Sequence, residues 1–248
     1  ELDTPGLLEA GGPGVRITGF RIQGPDGLRR EDHYRESFSG LTAEDRQNRV
    51  GHKRFYELPN SRGIISRFDE LTVDNCELFG WSHAAVYLRA GQKHSIHHNY
   101  IHHNQRKGLG YGVCVLRAFA LIEYNIFNYN RHSIAGTGTP PSGYTAWHNV
   151  VLGAASSHCF DMHGGVDRGD GTDIAGTRIS IRNNTFYSYH RAIGIRGRPE
   201  DRAIIEYNWF SQSQMGFLLM LHWPPADTIV IGPNAYNAGA ISLEMLSE

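Results

Sequence analysis

From residue 15 onward, apolar positions fall into short β-branched and aromatic runs bounded by Gly, Asn or Ser. The clearest are Ile96-His97-His98-Asn99-Tyr100-Ile101, Ile122-Glu123-Tyr124-Asn125-Ile126-Phe127, Ile181-Arg182-Asn183-Asn184-Thr185-Phe186 and Ile205-Glu206-Tyr207-Asn208-Trp209-Phe210. In each, one apolar residue lies three before an asparagine and another two after it. Asn99, Asn125, Asn149, Asn184, Asn208 and Asn234 form the column, and Phe20 and Cys76 occupy it in weaker copies. From Cys76 the spacings are 23, 26, 24, 35, 24 and 26 residues. A fixed period in this range predicts stacked repeats. The runs read as strands, since the 3.6-residue spacing of an amphipathic helix is largely absent. Asparagine suits a tight corner because it tolerates left-handed backbone, and a stacked amide can bond the asparagine one repeat away.

The Ile-x-x-Asn-x-Ile/Phe repeats, from about 15 to 237, resemble the right-handed parallel β-helix superfamily, the pectate-lyase-like group. The expected fold is all-β, one domain over 1–248, a right-handed parallel β-helix solenoid of about seven or eight coils. The resemblance implies polysaccharide lyases, uronan epimerases, some glycoside hydrolases, or glycan-binding adhesins. Three stretches break the period. The segment near 25–62 is polar and charged, and Thr42 with Asp45 three residues on predicts a short helix over 42–50. A second insert lies between Asn149 and Asn184, and a third loop is Gly136–Gly143.

Within each repeat a further strand follows the asparagine corner: Ala85–Arg89, Ile134–Gly136, Cys159–His163 and Ala192–Arg196. Alternation sends Val86/Leu88, Phe160/Met162 and Ile193/Ile195 inward. It sends Tyr87, Arg89, Asp161, His163 and Arg196 outward, with His83, Arg106, His132, His158 and His190 just before these strands. Asp161 and His163 share one face, and a carboxylate can hold an imidazole in one tautomer for proton transfer. Phe160-Asp161-Met162-His163 resembles the Asp-Pro-His motif of mannuronan C5-epimerases, with Met in place of Pro. The resemblance implies catalytic roles for Asp161 and His163.

The remaining candidates follow from stacking. His132 and His158 lie in or beside the Asp161 coil and are candidate proton donors. Arg196, Arg131, Arg89, Tyr87, Arg198 and Lys107 are candidate substrate-binding residues. Asp167, Asp170 and Asp173 offer oxygens at loop spacing and are candidate calcium ligands, although they lack the bidentate Glu of a calcium loop. The histidines at 94, 97, 98, 102 and 103 occupy different corner positions and do not read as a zinc site.

Composition narrows the partners. The formal charge is −1 and the pI about 7.0, so no global field points to nucleic acid. The 24 basic residues include only the lysines Lys53, Lys93 and Lys107, so arginine forks dominate, a geometry suited to carboxylates. Cys76, Cys114 and Cys159 are odd in number, without CxxC spacing, and read as buried thiols. No apolar stretch is long enough to cross a bilayer. The expected protein is a secreted, monomeric, carbohydrate-active enzyme. It would remove the C5 proton of a uronate in an acidic polysaccharide, as a lyase or an epimerase, with calcium as the one candidate cofactor. A β-helix glycoside hydrolase and a non-catalytic glycan-binding solenoid are the alternatives.

Overall fold

Each apolar phrase splits into two strands with a tight corner between them. Thr72–Asp74 leads to Glu77–Phe79, Arg178–Arg182 to Thr185–Phe186, and Arg202–Glu206 to Trp209–Phe210. These are seen in a computed structural model that describes residues 5–29, 31–212, 219–221 and 227–237. The first strand of each pair lies in a fourteen-stranded sheet and the second in an eight-stranded sheet. Pairing is parallel throughout, between strands one repeat apart. Strand accounts for 43% and helix for 11%, so the described residues are mostly β, with the helices in the 25–62 segment and a short one, Gly165–Arg168, in the insert between Asn149 and Asn184.

The fourteen-stranded sheet contains two ladders. One stacks Arg62–Ser66, Ala84–His97, Tyr111–Glu123, His132–Gly136, Phe160–Met162 and Ile193–Ile195. The other stacks Gly143–Trp147, Arg178–Arg182 and Arg202–Glu206. The long strands Ala84–His97 and Tyr111–Glu123 belong to both ladders, with a register irregularity between Gly91 and His94. Between the sheets lies a continuous apolar core. Ile64, Val86, Val113, Ile134, Phe160 and Ile193 are in register and fully buried. Phe186 stacks on Phe210 at 5.1 Å and Phe210 on Tyr236 at 5.4 Å. Because parallel strands one repeat apart share a register, each inward column stays apolar along the stack.

The asparagine column precedes six of the eight strands in the smaller sheet. From Asn125 on, each side-chain oxygen accepts from both the backbone N–H and the Nδ2 of the preceding asparagine: Asn99 donates twice to Asn125 at 3.0 Å, and Asn125 twice to Asn149 at 3.1 Å. The series continues through Asn184 and Asn208 to Asn234. At five of the six asparagine corners the residue before the asparagine is left-handed. His98, Tyr124, His148, Asn183 and Tyr207 have φ between 50° and 57°. Of the two reasons expected for asparagine, the stacked amide bond is present, whereas the left-handed backbone falls on its neighbour instead. A second, shorter ladder joins Asn104 to Asn130, where Asn104 Nδ2 donates to Oδ1 at 2.8 Å. His103 and Tyr129 precede these two with φ of 54° and 51°.

The 25–62 segment holds three helices, Asp32–Ser37, Ala43–Gln47 and Val50–Glu57. The expected Thr42/Asp45 cap is present, with Asp45 N–H donating to Thr42 Oγ1 at 3.1 Å. The expected helix over 42–50 instead ends at Gln47, and Arg49, at φ 57°, starts a new one. Phe55 from the last helix is buried, with Arg106 over its ring at 5.0 Å. Arg106 Nη1 donates to Pro59 O at 2.8 Å. Gly108 has φ 82°, and a side chain there would meet Phe55 at 2.6 Å. Beside this contact the outer face carries an apolar cluster of Ile65, Tyr87, Leu109, Tyr111, Cys114 and Ala135, with Tyr56 packed against it. Among the described residues, no helix is long and apolar enough to cross a membrane, and all three cysteines are buried.

Candidate functional site

Asp161 sits at the centre of the outward column of the strand Phe160–Met162. Its register partners are Ala135 in one adjacent strand and Gly194 in the other. Both are small, so the carboxylate lies in a pit between larger neighbours. It is fully buried. Arg196 closes one side: Nε donates to Asp161 Oδ1 at 3.0 Å, and Nη2 donates to Oδ2. The third guanidinium nitrogen, Nη1, donates to Asp167 Oδ1 at 3.1 Å. One arginine thus bridges two carboxylates.

Three histidines surround the same carboxylate. His163 Nε2 is 3.1 Å from Oδ2, His132 Nε2 3.5 Å from Oδ2, and His158 Nδ1 3.9 Å from Oδ1. His132 Nδ1 lies 2.6 Å from His158 O, and since a carbonyl only accepts, Nδ1 carries the proton. Burial, with the Arg131 charge beside it, pushes His132 well below the usual imidazole range. It is therefore the neutral Nδ1–H tautomer. Burial likewise lowers His158. For Asp161, burial opposes ionisation, but the surrounding positive charge and the His163 hydrogen bond overcome it and hold the carboxyl well below its usual range. With His132 neutral, Arg196 supplies that charge and His163 the hydrogen bond. Ionised Asp161 accepts, so His163 carries its proton on Nε2 and presents Nδ1 as its second nitrogen.

The imidazoles differ in access. The His132 side chain is fully buried, whereas those of His158 and His163 are 20% and 29% exposed. Buried His132 Nε2 and His158 Nδ1 have no hydrogen-bond partner. These two atoms and an Asp161 oxygen lie within 4.8 Å of one another, the one such group among the described residues. The donors do not converge on a metal. The His132 and His158 rings are parallel to within 5°, 5.5 Å apart, so their in-plane lone pairs do not meet at one point. Both Asp161 oxygens are also occupied by Arg196.

Comparison with protein-family models, with curated proteins and with solved structures gives no match for this chain. The site rests on its own geometry.

The other candidates scatter. Asp167, Asp170 and Asp173 pair with three different arginines: Arg196, Arg168 and Arg198. They do not assemble into the expected calcium loop. Tyr87 is buried within the outer apolar cluster rather than open to a substrate, and Arg89 stands 5.8 Å from its ring. Arg106, expected on the outer patch, is buried under the insert. Arg198 lies outside the Asp161 pit, on Asp173. Lys107 sits over the Tyr34 ring at 4.2 Å, and Arg131 5.9 Å from that of Tyr111. In the loop after the strand, Asp167 has a different role from the calcium ligand expected, and Arg168 was missed. Asp167 is the second partner of Arg196. Arg168 ties the loop together, donating to Thr137 O at 3.0 Å, His163 O at 3.3 Å and Ile174 O at 2.9 Å. The cue is in the sequence, since Asp167-Arg-Gly-Asp170 places an arginine between carboxylates.

Proposed function

We propose that this chain is a right-handed parallel β-helix of the pectate-lyase-like kind, and a carbohydrate-active enzyme that abstracts the C5 proton of a uronate in an acidic polysaccharide. The observation that carries the reading is the buried, ionised Asp161 holding an accessible His163. Asp161 orients His163 through Nε2, and Nδ1 of His163 is the base. His158, partly exposed and next to the same carboxylate, is the second proton-transfer group. It protonates either the leaving O4 or the opposite face of C5. His132, with no exposed surface, acts by position: it donates to the His158 carbonyl and packs parallel to its ring. Arg196 is committed to Asp161 and Asp167, so it positions the dyad rather than meeting the substrate carboxylate.

Elimination and epimerisation share the first step, and the same residues serve both. The hydrolase alternative gains one feature, since Asp167 shares Arg196 with Asp161. Glycoside hydrolysis needs a carboxyl kept protonated as acid, and Asp161 is held in the opposite state. The test is incubation of the parent protein with a panel of uronate polymers. Elimination gives an unsaturated, ultraviolet-absorbing product, and epimerisation gives proton exchange at C5 visible by NMR. A protein that changes no uronate polymer by either readout leaves the non-catalytic glycan-binding reading.

A further inference from the structure

Proton abstraction at C5 requires that the neighbouring carboxylate be neutralised, and Arg196 is already held by two aspartates. Two adjoining clefts offer other cations. The first, about 330 Å³, is lined by the insert residues Tyr34 and His52 together with Lys107 and Arg131. The second, about 300 Å³, is lined by His158, Tyr189, His190 and Arg191. Ser156 and Ser157 line both, so the clefts adjoin at these two serines, with His158 in the wall of the second. Among the described lining residues there is no carboxylate. Lys107, Arg131 and Arg191 have no ion-pair partner among the described residues. By contrast, Arg16, Arg21, Arg178, Arg196 and Arg198 are each paired with an acid.

One side-chain bond, from His132 Nδ1, and one backbone bond place the two arginines on either side of His158. His132, next to Arg131, donates to the His158 carbonyl, and Cys159, next to His158, donates to the Arg191 carbonyl at 2.9 Å. His132, His158 and Arg191 are in register in three successive repeats, and Arg131 lies one residue before His132, so the two arginines stand about 10 Å apart along the stack.

We propose that a linear polyuronate lies along these two clefts, with a carboxylate bound between Arg131 and Arg191 over His158 and a second near Lys107. The proposal deepens the proton-abstraction reading by naming the cations that meet the substrate, and rests on it for the choice of uronate. Planar guanidinium forks suit carboxylates, and Ser156, Ser157, His52 and His190 offer partners for sugar hydroxyls. Nucleic acid fits less well. The chain has a net charge of −1, and the Tyr34 face that could stack on a base is covered by Lys107.

Binding to the parent protein is measured by titration calorimetry with galacturonate oligomers, mannuronate oligomers, neutral glucan oligomers, heparin oligomers and single-stranded DNA. At least one uronate should bind tightest, the neutral glucan at least ten-fold more weakly, and uronate binding should weaken with salt. Tighter binding of heparin or DNA than of either uronate would overturn the proposal. Arg131→Ala/Arg191→Ala should lose at least ten-fold in uronate affinity, while Arg178→Ala, on another face, keeps parental affinity. Arg131→Gln and Arg191→Gln singly should each lose several-fold, with parental circular dichroism. Unchanged uronate affinity in the folded double variant would also overturn it. Uronate binding lost in the double variant, in a parent that turns over no uronate, would support the groove and sink the enzymatic reading. Full turnover with an unchanged KM in the double variant would sink the groove and leave the enzymatic reading.

Discussion

Arg196→Ala removes the guanidinium that holds Asp161. The parent structure gives it two bonds to that carboxylate and one to Asp167. What is left is a fully buried carboxylate with His163 as its closest donor. Removing one partner of a buried ion pair costs about 3–5 kcal/mol, because the other charge stays desolvated. The Arg196 side chain is 22% exposed, so water can enter the vacated space. That places the expected loss near the lower end, about 3 kcal/mol. For a chain of this size it corresponds to a fall in Tm of about 6–12 °C. The assay is thermal and urea unfolding followed by far-ultraviolet circular dichroism. Adding Asp161→Asn to Arg196→Ala removes the stranded charge and should recover much of the loss. The pH dependence has a fixed sign. The folded-state pKa of Asp161 is depressed, so its stabilisation is present above the unfolded carboxylate value of about 3.9 and lost as pH falls through the folded value. The deficit of Arg196→Ala should therefore shrink in acid. A Tm within about 2 °C of the parent at neutral pH, or no recovery in the double variant, would refute the buried clamp.

Three further outcomes are expected. Asn125→Ala strands the Asn99 amide and the Ile96 carbonyl inside the ladder and should cost about 1–3 kcal/mol in urea unfolding; an unchanged midpoint would mean the ladder is not structural. Gly108→Ala forces a side chain into left-handed backbone against Phe55 and should cost about 1–3 kcal/mol with faster proteolytic nicking of the insert. Burial lowers His94, His102, His103, His132 and His158, so below about pH 6.5 the unfolded chain binds more protons than the folded one and stability falls, by up to about 1.4 kcal/mol per pH unit per group. Equal urea midpoints at neutral and mildly acidic pH would contradict that.

The repeat was legible because it is written twice, in the apolar alternation and in the asparagine column. Parallel stacking then put Asp161 and His163 on one outer face, as their spacing predicts. The second ladder was missed although Asn104 and Asn130 are separated by 26 residues like their neighbours; no pair of flanking apolar residues marks them. The two extra helices of the insert were illegible since their apolar residues, such as Phe55, face an outer surface instead of the repeat core. Sequence alone leaves Arg196 a free cation, because it shows which residues share a face but not which charges pair. Asp167 reaches it from a loop, where no periodicity applies. Tyr87 alternates outward as expected and is nevertheless buried, because the insert lies near it and the alternation rule has no information about covering elements.

The measurement that bears most directly on the central claim is turnover of a uronate polymer by His163→Ala beside the parent. His163 is partly exposed and its loss removes one hydrogen bond to a carboxylate that Arg196 still holds, so the variant should keep the parental circular dichroism. The account predicts that C5 proton exchange and unsaturated product both disappear while uronate affinity is retained. A folded His163→Ala protein with near-parental turnover would contradict it.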